Sequence, residues 1–244
     1  MNNKLKIVQI SDLHCGSSHF DKNLMEKTIE QVNKYNPEVL IITGDLTMEG
    51  YYEEYTEALN YINMFTVKNK VIIPGNHDSK NVGYRTFEKL IGKPFSTLTI
   101  NDTIICGADS TEPDLDDGQI GRAHTAKLKS LFSKNYDFKI LALHHHVISV
   151  PNSGREMNIL RDAGDVLKMA VKTGVDLILS GHKHIPHMWN FENLKIITCS
   201  TTTSRRLRGI YKPSYNIIEI DNNLIIKRKD VEGGTTVICR EKRN

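Results

Sequence analysis

The sequence predicts an α/β protein with two β-sheets packed face to face and helices outside, and three observations lead there. The first third alternates strand-like and helix-like runs. From Ser96 the rhythm changes to short strands joined by turn residues, and beyond Ile185 only strands are legible, which predicts an antiparallel β end.

Lys4 to Ile10 reads as the first strand, and Asn23 to Asn33 as a helix with Met25, Ile29 and Val32 on one face. After Pro37, Glu38 to Thr43 is an almost wholly apolar run of the kind buried on both faces of a parallel sheet. Tyr52 to Phe65 resumes helical spacing through Tyr55, Leu59 and Ile62, and Lys70 to Ile73 is a strand stopped by Pro74 and Gly75. This β-α-β-α-β order argues for a parallel sheet, whose ligand sites lie outside the carboxyl ends of its strands. A helix near Tyr84 to Ile91 leads to the strands Ser96 to Ile100 and Thr103 to Cys106, joined at Asn101-Asp102. A loop rich in turn residues, Asp109 to Gly121, precedes a helix at His124 to Ser133 and a strand at Ile140 to Leu143. A helix at Leu160 to Lys172 and a strand at Asp176 to Leu179 follow. Turns are expected at Glu192-Asn193, Asp221 to Asn223 and Gly233-Gly234.

The chain has 244 residues and no Pro/Gly/Ser-rich linker, so one domain over 1–244 is expected. A formal net charge of +3 announces neither a nucleic-acid nor a membrane partner. Cys15, Cys106, Cys199 and Cys239 lie far apart without a C-x-x-C pair, which suggests reduced thiols in a cytoplasm. No basic and apolar leader opens the chain and no run approaches a membrane span, so a soluble cytoplasmic protein is expected.

The chemistry gathers where strands stop. Five apolar runs end in Asp12-Leu13-His14, in Gly44-Asp45, in Asn76-His77-Asp78, in His144-His145-His146 and in Gly181-His182-Lys183-His184. Residues two apart in a strand share a side, so Asp12 with His14, and His182 with His184, can each aim two side chains at one place. Carboxylate, imidazole and amide donors without a thiolate pair suit manganese, iron or zinc, and Asp45 could bridge two ions. Such a pair is machinery for hydrolysing phosphate esters.

The ordered motifs D-x-H, G-D, G-N-H-D, a strand-end His and G-H-x-H, spanning Lys6 to His184, resemble the calcineurin-like metallophosphoesterase superfamily. The resemblance implies a four-layer αββα sandwich with two mixed β-sheets flanked by helices. It implies two divalent or transition metal ions (manganese, iron or zinc), one held by Asp12, His14, Asp45 and His184, the other by Asp45, Asn76, His144 and His182. His77 corresponds to the catalytic histidine that is not a ligand, assisting the leaving group while a metal-bridging hydroxide attacks phosphorus. Asp78 is expected to orient a neighbouring histidine.

Within the superfamily the chain is most similar to class III cyclic nucleotide phosphodiesterases, on Gly107 to Thr111, the loop to Asp117-Gly118, and the histidine run. That implies a small phosphodiester or nucleotide substrate, 3′,5′-cyclic AMP first. Glycerophosphodiesterase, nuclease and phosphomonoesterase activities use the same ligands, and a non-catalytic protein-binding scaffold is the alternative from another class. Nucleic acid is disfavoured by the balanced charge.

Of the three consecutive histidines His144 is favoured as the ligand, with His145 and His146 as pocket or supporting groups. His145 is a candidate substrate contact. Arg205 and Arg206, with Arg208, could place a guanidinium fork on a phosphate, and a solvated basic turn explains them equally. Asp114, Asp116 and Asp117 suggest a calcium loop only superficially, since Thr125 stands where the EF-hand needs Glu. An acidic turn or lid over the site is the better reading. The strands from Tyr215 to Cys239 offer an edge on which a homodimer could form.

Overall fold

Alternate side chains of the central strands enter two different cores. In β1 (Leu5–Ile10), β2 (Val39–Thr43) and β3 (Asn69–Ile73), the side chains of Leu5, Ile7, Val39, Ile41, Val71 and Ile73 join one apolar cluster. Those of Val8, Ile10, Leu40 and Ile42 join another, beneath α1 (Lys22–Tyr35), α2 (Tyr52–Met64) and α3 (Gly83–Leu90). The computed structural model describes residues 4–154, 158–205, 207 and 210–243.

The second sheet repeats the device. Ile140 and Ala142 of β6 (Phe138–Ala142) and Leu177 and Leu179 of β7 (Leu177–Ser180) meet the first sheet. Leu141 and Ile178 instead pack under α4 (Arg122–Phe132) and α5 (Ala163–Thr173). The layers therefore run helix, sheet, sheet, helix, the αββα arrangement expected from the motifs.

The sheet is completed by β4 (Ser96–Ile100), β5 (Thr103–Gly107), β8 (His187–Phe191) and β9 (Leu194–Thr198), in the order β4-β5-β6-β7-β9-β8. The last strands, β10 (Ser214–Ile220), β11 (Asn223–Asp230) and β12 (Thr235–Lys242), return to the first sheet, ordered β12-β11-β10-β1-β2-β3. Both sheets are mixed. One detail departs from the sequence reading: the C-terminal strands are not all antiparallel, because β9 runs parallel to β7 while β10 pairs antiparallel with β1. Among the described residues no helix is long and apolar enough to cross a membrane.

Toward the carboxyl ends of β1, β2 and β7 the interior between the sheets turns polar. Gln9 Nε2 donates to Thr43 Oγ1 (3.1 Å) and to the Ser180 carbonyl (3.0 Å), and Gln9 Oε1 accepts from Asn216 Nδ2 (2.9 Å). All four residues are buried, so this network is a satisfied polar floor tying the two sheets together.

Candidate metal centre

The strand-end motifs leave their strands before they deliver their side chains. Asp12 (φ 56°), His14 (φ 51°), Asp45 (φ 52°), His182 (φ 74°) and His184 (φ 55°) all adopt left-handed backbone conformations. Asp12 and His14 do come together, beside His184, whereas His182 turns to Asn76 and His144 and does not join His184. Tight turns beyond β1 and β7 deliver these side chains, and strand alternation does not. Each non-glycine residue held this way costs on the order of 1–2 kcal/mol, which the surrounding structure must offset. Gly75 and Gly181 permit the close approach: a Cβ on Gly75 would strike Asp45, and one on Gly181 would strike Ser11 and Asp12.

Seven donor atoms result, in two sets that meet at one carboxylate oxygen. His14 Nε2 lies 3.0 Å from His184 Nε2, and Asp12 Oδ1 lies 3.4 Å from His184 Nε2. Asn76 Oδ1 lies 3.0 Å from both His144 Nε2 and His182 Nδ1. Asp45 Oδ2 stands 3.6 Å from His14 Nε2 and 3.4 Å from His144 Nε2, between the sets. Its other oxygen accepts the His77 backbone N–H at 3.0 Å, which fixes the carboxylate plane.

The donor set fits a pair of divalent ions. Two carboxylates, four imidazoles and an amide oxygen converge, five of the seven buried and none a thiolate, around a shared oxygen. His144 Nδ1 donates to the Thr43 carbonyl (2.7 Å), so Nε2 is the nitrogen that faces Asn76 Oδ1 and Asp45 Oδ2. Without metal, burial disfavours charge on His144, yet Asp45 and Asp12 outweigh it and hold its pKa up at about 9. His14 goes the other way, pushed down to about 4 by burial against the pull of Asp45.

His77 lies beside this cluster, its ring edge-on to His14 at 4.8 Å between centroids. Its Nδ1 sits 2.6 Å from the Met48 carbonyl, to which it donates, leaving Nε2 to the pocket side. A pocket of about 530 Å³ opens over His14, Asp45, Asn76, His182, His184 and His77, with Asp12 and His144 buried beneath it, and is lined also by Ser17, Met48, Asp116, Asn158, Lys183 and Leu207.

Other expected roles are corrected. Asp78 reaches no histidine: its carboxylate accepts from Leu46 N (3.0 Å), Thr47 N (2.9 Å), Thr47 Oγ1 (2.8 Å) and Gly75 N (2.8 Å). It locks the Asp45 turn to the Asn76 turn. His145 is not a substrate contact, because it is buried with Nδ1 2.9 Å from Ser110 Oγ and Nε2 3.2 Å from the Asp116 carbonyl. Burial pushes its imidazole down to about 3, so it is a neutral packing group. Arg205 turns away from the pocket, with Nε 2.6 Å from Asp21, the N-cap of α1, and an amino group 3.4 Å from Glu232. Arg206 and Arg208 lie outside the described residues.

One site residue escaped the sequence reading. Asp116 Oδ1 accepts from Asn76 Nδ2 at 3.1 Å, on the side of the amide opposite the cluster. An acidic turn is common enough that only its fold neighbours reveal this role.

Comparison with known proteins agrees with this geometry. The family model described as calcineurin-like phosphoesterase matches residues 5–186. A probable cyclic nucleotide phosphodiesterase of Vesicomyosocius okutanii subsp. Calyptogena okutanii (strain HA) is 27% identical over 203 residues, covering 80% of this chain and 85% of the relative. Another from Xenorhabdus bovienii (strain SS-2004) is 27% identical over 221 residues, covering 84% and 89%. Among solved structures, a dimetal phosphatase from Danio rerio superposes with a TM-score of 0.74 at 11% identity, covering 96% of this chain and 98% of that one.

Proposed function

The chain belongs to the calcineurin-like phosphoesterase family, metal-dependent phosphoric ester hydrolases, and we propose that it opens a small phosphodiester, 3′,5′-cyclic AMP before others. The observation that carries this reading is the pair of donor sets sharing Asp45 Oδ2, with His77 beside them on the pocket wall. Asp12, His14, Asp45 and His184 would hold one ion, and Asp45, Asn76, His144 and His182 the other. Two such ions supply Lewis-acid polarisation of the phosphoryl oxygens and activation of water.

The chain's own residues do the rest. His77, anchored through Nδ1 on the Met48 carbonyl, carries a proton on Nε2 toward the sugar oxygen that leaves phosphorus. Without it an alkoxide would have to depart unprotonated. Both sheets contribute ligands, which supports reading 1–244 as one functional unit. A pocket of about 530 Å³ lies in the range that takes a nucleotide. The two relatives named as probable cyclic nucleotide phosphodiesterases, covered over most of their length, favour that substrate class. Four free cysteines suit a reducing compartment and support a cytoplasmic location.

The test uses metal-stripped protein resupplied with manganese, assayed on bis-p-nitrophenyl phosphate and 3′,5′-cyclic AMP, with His77→Ala alongside. We expect turnover of both substrates, and in the variant a loss of roughly 10²–10⁴-fold with manganese content unchanged. Turnover of the generic diester alone would redirect the search to glycerophosphodiesters and other diesters. No turnover of any phosphoester by metal-loaded protein would refute the catalytic reading.

A further inference from the structure

We propose that the loop from Ser110 to Gly118 is a positioning device for the second metal, in which Asp116 sets the orientation of the Asn76 amide and His145 holds Asp116 in place. The proposal rests on the two-ion reading of the site. Its starting point is a problem of chemistry: an amide ligates a metal through oxygen, yet its two ends are nearly the same shape. Rotating Asn76 by half a turn about its last torsion would present an N–H₂ group to His144 and His182, and that group has no lone pair to give.

Asp116 removes the ambiguity. Its carboxylate accepts hydrogen bonds and donates none, and Oδ1 sits 3.1 Å from Asn76 Nδ2. The flipped amide would set an oxygen against that carboxylate. With nitrogen facing Asp116, Asn76 Oδ1 stands 3.0 Å from both His144 Nε2 and His182 Nδ1, where the ligand oxygen is needed.

Two further contacts fix the loop that carries Asp116. His145 Nε2 meets the Asp116 carbonyl at 3.2 Å, and its Nδ1 meets Ser110 Oγ at 2.9 Å, so one imidazole spans both ends of the loop. Ser110 Oγ also accepts the His145 backbone N–H at 3.2 Å. Gly118 passes so near that a Cβ there would strike the His145 ring and the Ser110 carbonyl. The ligand His144 and its neighbour His145 thus connect through the loop to the ligand Asn76 in a closed circuit. Among the described residues the loop from Ser110 to Gly118 makes no such contact to Asp12 or His14, and the effect falls on one ion.

Manganese alone is titrated calorimetrically into metal-stripped protein, with bound metal counted on the recovered complex. Wild type should bind two ions. Asp116→Ala should weaken one site roughly 10–100-fold and leave the other unchanged. Asp116→Asn, whose amide can donate as well as accept, no longer penalises the flipped Asn76 and should recover little of that loss. Asp117→Ala, which removes only an exposed pair with Arg161, should bind as wild type does. His145→Phe should repeat the selective weakening, and combining it with Asp116→Ala should add little. Unchanged binding in Asp116→Ala, equal weakening of both sites, or an Asp116→Asn protein that binds as tightly as wild type would overturn the proposal. Wild type binding fewer than two ions would instead overturn the two-ion reading beneath it.

Discussion

Replacing His14 or His184 by glycine should leave the metal-free protein more stable than replacing it by alanine. The two variants lose the same imidazole and the same contacts, so their difference isolates the backbone. At His14 and His184, with φ of 51° and 55°, alanine pays a left-handed penalty of on the order of 1–2 kcal/mol. Glycine escapes that penalty but loses about 0.5–1 kcal/mol more chain entropy on folding. The difference leaves glycine ahead by about 1 kcal/mol. For 244 residues, unfolding entropy of about 2.1 cal/mol/K per residue turns that into roughly 2 °C in Tm. His144 has no positive φ, and there the ordinary order should return, with alanine ahead by about 0.5–1 kcal/mol. Urea and thermal unfolding in the presence of a chelator measure all three pairs. Alanine equal to or better than glycine at both His14 and His184 would refute the claim that these turns are strained.

Two more predictions concern groups away from the donor atoms. Glu219 is buried; burial would raise its pKa, but hydrogen bonds from Lys227, Tyr35 and Lys4 hold it down at about 2. A depressed carboxylate stabilises the fold above its unfolded pKa near 4.5, and that contribution is lost as pH falls toward 2. Discounted for the exposed Lys4, Glu219→Gln should cost about 2 kcal/mol near neutral pH and little at about pH 2, read from urea midpoints at both. Asp78→Asn replaces one acceptor oxygen by a donor, which must face either the N–H groups of Leu46 and Gly75 or the N–H of Thr47. The expected loss is about 2–4 kcal/mol by urea unfolding; a neutral result would show that the two turns hold themselves.

Much of this was legible in the sequence, because the signals were local. Strand and helix positions followed from apolar spacing, and the ligands announced themselves by ending apolar runs. The pairing of Asp12 with His14 came out right for an incomplete reason: strand alternation stops at Ile10, and left-handed turns bring the side chains together. What stayed illegible depended on distant partners. Nothing near Arg205 says that it answers Asp21, 184 positions away, and nothing near His145 says that its two nitrogens are taken by Ser110 and Asp116. The parallel direction of β9 was hidden for a similar reason, since β10 crosses to the other sheet and leaves β9 between β7 and β8.

That crossing bears on how the protein is made. While a ribosome extends the chain, Asp12, His14, Asp45 and Asn76 emerge with the first sheet's parallel strands, long before His144, His182 and His184 exist. During that interval β1 has β2 on one side and an open edge on the other, until β10 arrives from residues 214–220 to pair with it. The nascent first half therefore shows an unpaired strand edge and half a set of metal ligands, the features that invite misassociation during synthesis. In the proposed sets one is completed only by His182 and the other only by His184, so full ion capture belongs to the end of this sequence of events.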